Sequence, residues 1–507
     1  MPVNFVPVNF RLMLEVKRLA GQTAVYGMGT IVPRFLNYVV LTPLFTYTLT
    51  DAADYGVITE LYAWMVILLV LLTYGMETGF FRYVNKSNDP SLVYSTALVS
   101  LFITSSLFLS LTLLTSGSIA SLLNYSANRD YIKMFLAIVA IDSFCAVPFA
   151  RLRSLERPLT FSIIKIANVL IIVGLSLFLL RVAPKLYESG VPLFVNYFNP
   201  DYLVGYVFVA NLTGSIATLF MLLPVIFRVK FRFSPGLWLS MMGYSLPLLV
   251  GGIAGTVNDV IDKVLLRRLH GGDEGLEVVG IYGGAYKIAV LLSIFVQMFR
   301  FAAEPFFFER AGKVSAKESY AAVMKYFVIC GSLLFLAVNL YLPVIQYFVG
   351  PVYREALVVV PIISFSFLLY GLFINLSVWY KVNDMTRYGA YITITGMAVT
   401  LTINLLFIPL YSYMASAWAH VACYFVMVIF SYFAGRRHYP VDYDLRSAAL
   451  YISLAIILVF VSLYIVPDMG LGATLALNTL LVGLYLLLAE RRDRLMTIIF
   501  GKGDAVV

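Results

Sequence analysis

The chain of 507 residues is 61% hydrophobic and only 12% charged, and its mean hydropathy is +0.89. A soluble globular domain is about half apolar and about a quarter charged, and a disordered chain needs low hydropathy, so the composition excludes both. Three cysteines are too few for a disulfide scaffold. What remains is an integral membrane protein with many spans.

Apolar runs of about 20 residues, the length that crosses a bilayer, follow one another along the chain. The sequence predicts a short amphipathic lead-in at 1–19 and a polar tail at 490–507. Between them we predict about fourteen transmembrane helices, at 20–48, 57–82, 91–115, 131–150, 159–180, 201–227, 237–264, 279–308, 320–349, 355–380, 387–408, 412–433, 447–466 and 471–489. The expected fold is therefore an all-α polytopic membrane protein without a soluble domain.

The basic residues of the loops indicate the orientation, because Lys and Arg concentrate in cytoplasmic loops. With the N-terminus inside, 23 of the 36 Lys and Arg residues fall on the cytoplasmic side, 7 outside and 6 within spans. Both termini are predicted to be cytoplasmic. The net charge of +9 is then a topology signal and not a sign of nucleic-acid binding.

Two segments, YGVITELYA and VGIYGGAYK, match weakly at an offset of 224 residues, so that Gly56 aligns with Gly280 and Tyr62 with Tyr286. The offset spans six helices, an even number, so the two copies share one orientation and form a parallel repeat.

The repeat predicts two lobes and an addition. The N-lobe comprises six helices at 20–227, the C-lobe six helices at 237–433, and two further helices lie at 447–489. Transporters with this organisation bind substrate near the bilayer midplane, in a cleft lined by the first helices of each lobe.

Charged residues within spans are costly and normally face a cavity or a partner, so each is a candidate functional residue. They concentrate on spans 1, 2, 7 and 8. These are Arg34, Glu60, Glu77, Asp259, Asp262, Lys263, Lys287, Arg300 and Glu304, with Asp142, Lys165 and Lys325 on other spans. Asp259 with Lys263 and Arg300 with Glu304 lie one turn apart and can pair with each other instead of facing a cavity, and Lys165 is placed to snorkel.

Arg34 and Lys287 differ, because neither has an acidic residue within one helical turn. Two such cations in a wet cavity suit an anionic substrate, and a phosphate or diphosphate is the natural group. Tyr62 and Tyr286 would offer aromatic faces to sugar rings. Candidates to bind a coupling proton or sodium ion are the carboxylates Glu60, Asp142, Asp259 and Glu304. The cysteines and histidines show no metal-ligand spacing, and no metal or cofactor is expected.

Two stretches carry a family resemblance. LAGQTAVYGMGTIVPR is followed by the turn Asp54–Tyr55–Gly56, and DVIDKVLLRRLHGGDEGLEVVGIYGGAYKIAVLL occupies 259–292. They resemble the first, seventh and eighth helices of the polysaccharide-biosynthesis flippases, in the multidrug, oligosaccharidyl-lipid and polysaccharide exporter superfamily.

This resemblance implies alternating access by a non-enzymatic flippase, which moves undecaprenyl-diphosphate-linked oligosaccharide to the outer leaflet of the bacterial inner membrane for surface polysaccharide biosynthesis. Its partners would be the lipid-linked substrate, membrane lipids and a glycan polymerase. Arg34 and Lys287 would meet the diphosphate, and Asp259, Asp262 and Lys263 would lie along the cavity.

Three alternatives remain. A lipid II flippase and a cation-coupled multidrug exporter belong to the same superfamily, although basic residues such as Arg34 and Lys287 within the spans disfavour a cavity for cationic drugs. A membrane-embedded polymerase or ligase belongs to another class and normally needs a larger catalytic loop than the longest one here, 181–200.

Overall fold

A computed structural model describes residues 29–313, 315–465 and 470–493. The regular secondary structure of these residues is entirely helical. The predicted lead-in at 1–19, the start of the first span and the tail beyond 493 lie outside the described residues.

The helices follow the predicted spans closely. We number them as residues 29–48 (α1), Ala52–Thr73 and Met76–Val84 (the two halves of α2), Pro90–Leu114 (α3), Arg129–Ser154 (α4), Pro158–Leu177 (α5), Leu203–Ile226 (α6), Pro235–His270 (α7), Gly272–Arg310 (α8), Ala316–Leu340 (α9), Val359–Leu376 (α10), Thr386–Tyr411 (α11), Tyr413–His438 (α12), Leu445–Ile465 (α13) and Leu471–Asp493 (α14). Thirteen helices among the described residues are long and apolar enough to cross a membrane, and α1 matches the first predicted span. The all-α multi-pass fold is confirmed.

The connection between α7 and α8 departs most from the predicted spans. The sequence predicts a polar loop at 265–278, whereas the two helices are separated by Gly271 alone, whose φ is 72°. Arg267, assigned to an outside loop, lies in the last turn of α7, and Asp273 and Glu274 lie in the first turn of α8. Basic residues at the C-terminus of a helix and acidic residues at its N-terminus interact favourably with the helix dipole. The polar residues that suggested a loop therefore belong to two helix ends.

The second span is broken where the sequence predicts one continuous helix. Tyr74 and Gly75 separate the two halves of α2 and have φ of 36° and 70°. Glycine adopts a positive φ at little cost, which favours the break at this position.

The chain divides into two compact units. The first contains the described residues up to Leu49 together with Leu61–Ile253, and the second contains Thr50–Glu60 and the described residues from Ala254 onward. The division falls within α2 and α7, so the predicted lobe boundaries remain a prediction.

The same packing pattern occurs in both units. In the first unit α4 packs on α3 and α6, and α5 packs on α6. In the second unit α10 packs on α9 and α12, and α11 packs on α12. Each helix of the second set lies six positions after its counterpart, as the parallel repeat predicts. Helices α13 and α14 both pack on α9.

The surface is apolar and the interior contains many polar groups, as expected when lipid is the solvent. Leu114, Phe220 and Leu480 are among the large apolar side chains that are strongly exposed. Buried polar side chains are bonded across helices: Ser416 donates to Asn404 Oδ1 at 2.8 Å, between α12 and α11. Such bonds stabilise helix contacts in a bilayer, where the hydrophobic effect does not drive association.

The paired glycines of the sequence repeat lie where α2 and α8 cross. A Cβ atom at Gly56 would overlap the carbonyl oxygen of Leu276, and one at Gly280 would overlap that of Ala52. Leu276 and Ala52 are themselves 224 residues apart, so the contact is reciprocal. The weak repeat in the sequence therefore marks a close crossing that requires the absence of side chains.

Candidate functional site

A buried carboxylate organises the polar centre of the second unit. Asp262 is 1% exposed, and its Oδ1 accepts a hydrogen bond from Lys263 Nζ at 2.8 Å. Its Oδ2 accepts from the hydroxyl of Tyr282 at 2.8 Å and lies 3.0 Å from His420 Nε2. Helices α7, α8 and α12 thus converge on one carboxylate, which has an ammonium group to balance its charge. Buried charges persist in proteins only when they are paired in this way.

Lys263 does not form the predicted ion pair with Asp259. Its ammonium bonds the carboxylate of Asp262 and the backbone carbonyl oxygen of Asp259, the latter at 3.3 Å, and lies 4.0 Å from the ring centre of Tyr286. Spacing by one helical turn predicted the wrong partner, because the long side chain of Lys263 reaches the adjacent residue Asp262. Asp262 is also bonded by residues of other helices.

Asp259 has a different environment from Asp262, although the two are one turn apart on α7. Its side chain is exposed, and Oδ1 accepts a hydrogen bond of 2.6 Å from the buried hydroxyl of Tyr424. An exposed carboxylate within a membrane-spanning helix must face water or a polar ligand, because lipid does not solvate it.

Lys287 lies close to this cluster on α8. Its ammonium and that of Lys263 repel each other electrostatically. Tyr286, the neighbouring residue, packs its ring against Phe367 and His420, with ring centres 5.8 and 5.9 Å apart. The structure therefore brings together five predicted site residues, namely Asp259, Asp262, Lys263, Tyr286 and Lys287.

Glu60 forms a separate buried ion pair in the second unit. Its side chain is fully buried, and its Oε2 lies 3.7 Å from Nε of Arg267, which is 4% exposed. The Nε and Nη1 atoms of Arg267 have no hydrogen-bond partner among the described residues. Because Arg267 neutralises it, Glu60 is a weaker candidate for binding a coupling ion than the sequence suggested.

Glu304 is also paired with cations. It lies 3.0 Å from Arg300 Nε, as predicted, and 2.7 Å from Lys381 Nζ, which follows α10. Both contacts hold the carboxylate of Glu304 between two basic side chains.

A second set of charges lies in the first unit. Arg34 is exposed on α1, and its charge repels that of Lys165 on α5. Asp142 on α4 attracts Lys165 and is bonded to Ser215. The ammonium of Lys165 lies 4.0 Å from the ring centre of Phe149, and its snorkelling stays a prediction.

Tyr62 belongs to the first unit. Its ring packs edge-on against Phe208 of α6, with centres 6.2 Å apart, and it is partly exposed. Its repeat counterpart, Tyr286, contacts α12 through His420. Each tyrosine thus touches the sixth helix of its own repeat copy.

Sequence reasoning missed three members of these clusters: His420, Tyr424 and Arg267. His420 gave the clearest signal, because a histidine near the middle of an apolar span is a candidate functional residue by the rule applied to the charged residues. Tyr424 gave none, since tyrosines occur throughout the chain.

Comparison with known proteins relates this geometry to a family. The sequence profile described as polysaccharide biosynthesis protein matches residues 19–310, more than half of the chain. The chain belongs to this family. The assignment predicted from its motifs is confirmed, and no curated protein matches the sequence significantly.

Solved structures share the fold at low identity. The lipid II flippase MurJ, in an inward closed conformation, matches with a TM-score of 0.70 and 11% identity, over 94% of this chain and 99% of that chain. An inward-facing multidrug resistance MATE family transporter of the MOP superfamily matches with a TM-score of 0.61 and 13% identity, over 82% and 95%. An outward-facing MATE transporter matches with a TM-score of 0.60 and 14% identity, over 86% and 96%.

Proposed function

We propose that this protein is a flippase that moves undecaprenyl-diphosphate-linked oligosaccharide from the inner to the outer leaflet of the bacterial cytoplasmic membrane by alternating access. Membership of the polysaccharide biosynthesis family supports a role in the synthesis of a polysaccharide. A fold shared with MurJ and MATE transporters supports movement of a substrate across the bilayer rather than catalysis.

One observation carries the proposal: two membrane-spanning helices present basic side chains that are not fully buried. Arg34 is exposed on α1, and Lys287 is partly exposed on α8 near the Asp262 cluster. A cation within a span loses hydration, and an anionic ligand relieves that cost. A diphosphate fits best, because Arg binds its oxygens in a bidentate manner and Lys supplies a compact charge.

The other predicted site residues differ in how well their surroundings suit the roles proposed for them. Tyr62 is partly exposed and is proposed to stack on a sugar ring, whereas Lys263 already occupies one face of Tyr286. Among the four proposed coupling carboxylates, Asp259 is favoured, because Glu60 and Glu304 form ion pairs with arginine or lysine side chains and Asp142 attracts Lys165.

The test uses a polysaccharide-producing bacterium in which this chain is the sole flippase of its pathway. We expect Arg34→Ala and Lys287→Ala each to lower surface polysaccharide at least about tenfold, because a hydrogen bond to a charged group contributes about 1.5–3 kcal/mol. Lys185→Ala, which removes an exposed lysine of the short helix Ala183–Glu188, is the matched control and should export normally. Normal export by both test variants, at equal membrane protein levels, would contradict an anion-binding role.

A lipid II flippase is the second candidate, because the likeness to MurJ extends over almost the whole of both chains. Proteoliposomes that contain either fluorescent lipid II or an undecaprenyl-diphosphate-linked oligosaccharide distinguish the two. Faster movement of the oligosaccharide substrate supports the proposal, and movement of lipid II alone replaces it with the second candidate.

A further inference from the structure

Two basic side chains of the second unit share one carboxylate oxygen in the last part of α8. Nε of Arg300 and Nζ of Lys381 both donate to Oε1 of Glu304, at 3.0 and 2.7 Å. The side chain of Arg300 is 48% exposed, and those of Lys381 and Glu304 are 26% and 30% exposed. Among the described residues, neither cation forms an ion pair with another acidic side chain. The three side chains therefore form an accessible group with two positive charges and one negative charge.

The polar residues in this part of α8 lie on one face of the helix. Ser293, Gln297, Arg300 and Glu304 follow one another at intervals of three or four residues, and residues at this spacing are neighbours on a helix surface. Gln297 Nε2 donates to Ser293 Oγ at 3.3 Å, so the face is polar over several turns. An exposed guanidinium on such a face must meet water or a polar ligand, because a cation in lipid is costly.

The group lies apart from the cations near Asp262. Lys287 is thirteen residues before Arg300 on α8, which corresponds to about 20 Å along the helix axis. Arg300 is ten residues, or about 15 Å, from the end of α8 at Arg310, and Lys381 lies in the short helix Val378–Val382 that follows α10. The distribution of Lys and Arg predicts that these two helix ends are cytoplasmic. The group is thus nearer than Lys287 to the predicted cytoplasmic surface, where the phosphate groups of lipids lie.

The guanidinium of Arg300 is held in place and still has donors for a ligand. Its Nε is bonded to Glu304, and the side chain also bonds Tyr370 of α10. Arginine has five N–H donors and lysine three, so the described contacts use only part of the donors of Arg300 and Lys381. A planar fork beside a compact ammonium group suits a phosphate, whose oxygens accept from both.

We propose that Arg300 and Lys381 bind the phosphate group of a lipid, and that Glu304 holds the two cations together while the site is empty. The bound phosphate competes with Glu304 for both cations, and no covalent bond changes. In transport, the site receives the diphosphate of the lipid-linked oligosaccharide before it reaches Lys287. This role in transport rests on the proposed flippase function.

Native mass spectrometry of the purified protein measures binding of single lipids. The probes are undecaprenyl diphosphate, phosphatidylglycerol, and diacylglycerol, which has no phosphate. We expect Arg300→Gln and Lys381→Gln each to weaken binding of undecaprenyl diphosphate about tenfold, the contribution of a hydrogen bond to a charged group, and to leave diacylglycerol binding unchanged. The same titrations in a Lys287→Ala background reduce binding at the other proposed phosphate contact of α8.

Arg310→Gln is the matched control, because it removes a cation from the end of the same helix. The guanidinium of Arg310 lies 5.5 Å from the ring centre of Phe306, outside the group around Glu304. This variant should bind both phosphate lipids as wild type does. Equal losses for Arg310→Gln and Arg300→Gln would mean that the basic surface attracts anionic lipids in general, and would overturn the proposal.

Glu304→Gln separates a binding site from a structural ion pair. The variant keeps both cations and removes the anion that competes with phosphate, so binding should become about threefold tighter, within the range measured for partly exposed ion pairs. A purely structural role predicts unchanged or weaker binding, and either result contradicts the site. If Arg300→Gln does not fold, Arg300→Lys, which keeps the charge and should retain most of the binding, and Lys381→Gln take its place.

The two phosphate lipids identify the source of the ligand. A loss for undecaprenyl diphosphate, alone or together with phosphatidylglycerol, supports the role in transport. A loss for phosphatidylglycerol alone overturns that role and supports a phospholipid site, and no loss for either lipid overturns the proposal as a whole.

Transport separates this proposal from the proposed function. In proteoliposomes with fluorescent undecaprenyl-diphosphate-linked oligosaccharide, Arg300→Gln should move the substrate more slowly than wild type and Arg310→Gln. If wild type moves no oligosaccharide while Arg300→Gln loses lipid binding, the flippase function fails and the phosphate site stands. If Arg300→Gln binds both lipids and transports as wild type does, the site fails and the flippase function stands.

Discussion

Single residues in this protein are distinguished by their environment more than by their type. Asp259 and Asp262 lie one turn apart on α7, yet one is exposed and bonded by Tyr424, and the other is buried beneath three donors. The sequence identified both as candidates, because charge within a span is visible without a structure. It did not separate them, because Tyr282, His420 and Tyr424 come from α8 and α12, whose packing against α7 the sequence does not show.

The buried pair of Glu60 and Arg267 leads to a prediction at this scale. Removal of one partner leaves the other charge buried and uncompensated, which costs about 3–5 kcal/mol, whereas replacement of both by apolar residues is often neutral. We expect Glu60→Gln and Arg267→Met each to destabilise the protein strongly, and Glu60→Leu with Arg267→Met to recover most of the loss. A double-mutant cycle on unfolding in detergent measures the three free energies.

The control for this cycle is an exposed ion pair. Lys133 and Asp130, on the first turn of α4, lie 3.5 Å apart and are both half exposed or more. Lys133→Ala should change the free energy of unfolding by less than about 1 kcal/mol. A Glu60→Gln effect as small as this one would show that the buried pair contributes little.

At the scale of helices, the sequence was informative about spans and uninformative about their ends. Runs of about 20 apolar residues identify a span, because the bilayer sets that length. The predicted helix ends are wrong where charged residues extend a helix beyond its apolar run, as Arg267 does on α7 and Asp273 does on α8. The interruption of α2 at Tyr74 and Gly75 was also missed, because the mainly apolar stretch at 57–82 continues past this position.

The crossing of α2 and α8 allows a test of helix packing. Gly280→Ala places a methyl group against the carbonyl oxygen of Ala52, so the helices must separate. We expect a loss of about 1–3 kcal/mol, the usual cost of overpacking, seen as a lower midpoint of thermal unfolding in detergent.

Gly483→Ala on α14 is the matched control, because an added Cβ meets no atom within 4 Å. It should be neutral or stabilise the protein by up to about 1 kcal/mol, since alanine is the better helix former. Similar midpoints for both variants would indicate that the crossing tolerates a side chain.

For the whole molecule, composition alone predicted that lipid surrounds most of the protein surface. A chain with 61% hydrophobic residues can cover its surface only with lipid, and the exposed leucines and phenylalanines agree. The parallel repeat was predicted from one short match, and the equivalent helix pairs within the two units support it. The members of the clusters around Asp262 and Lys165 could not be predicted from the sequence, because each cluster combines residues from several helices.

Membrane topology gives a prediction at this scale. The distribution of Lys and Arg predicts that the loop between α2 and α3 is cytoplasmic and that the segment between α5 and α6 is outside. Cysteines introduced as Asn88→Cys and Ser189→Cys occupy exposed positions in these two segments. In intact cells, an impermeant maleimide should label only Ser189→Cys, and Asn88→Cys should react after the membrane is permeabilised.

The parent chain, with Cys145 and Cys423 buried and Cys330 partly buried, gives the background labelling. The reverse pattern, with Asn88→Cys labelled in intact cells, would invert the predicted orientation.

The reciprocal contact at Gly56 and Gly280 also constrains how the two copies of the repeat can diverge. Each glycine accommodates a backbone oxygen of the other copy, at Leu276 and at Ala52. A larger residue on either side disturbs the same crossing, so neither copy can change independently at these positions. Elsewhere each copy is free to acquire its own chemistry, and His420 opposite Asp262 in one unit and Lys165 beside Asp142 in the other are examples. The crossing at Gly56 and Gly280 is thus a feature that both copies of the repeat must keep, while the residues around them differ.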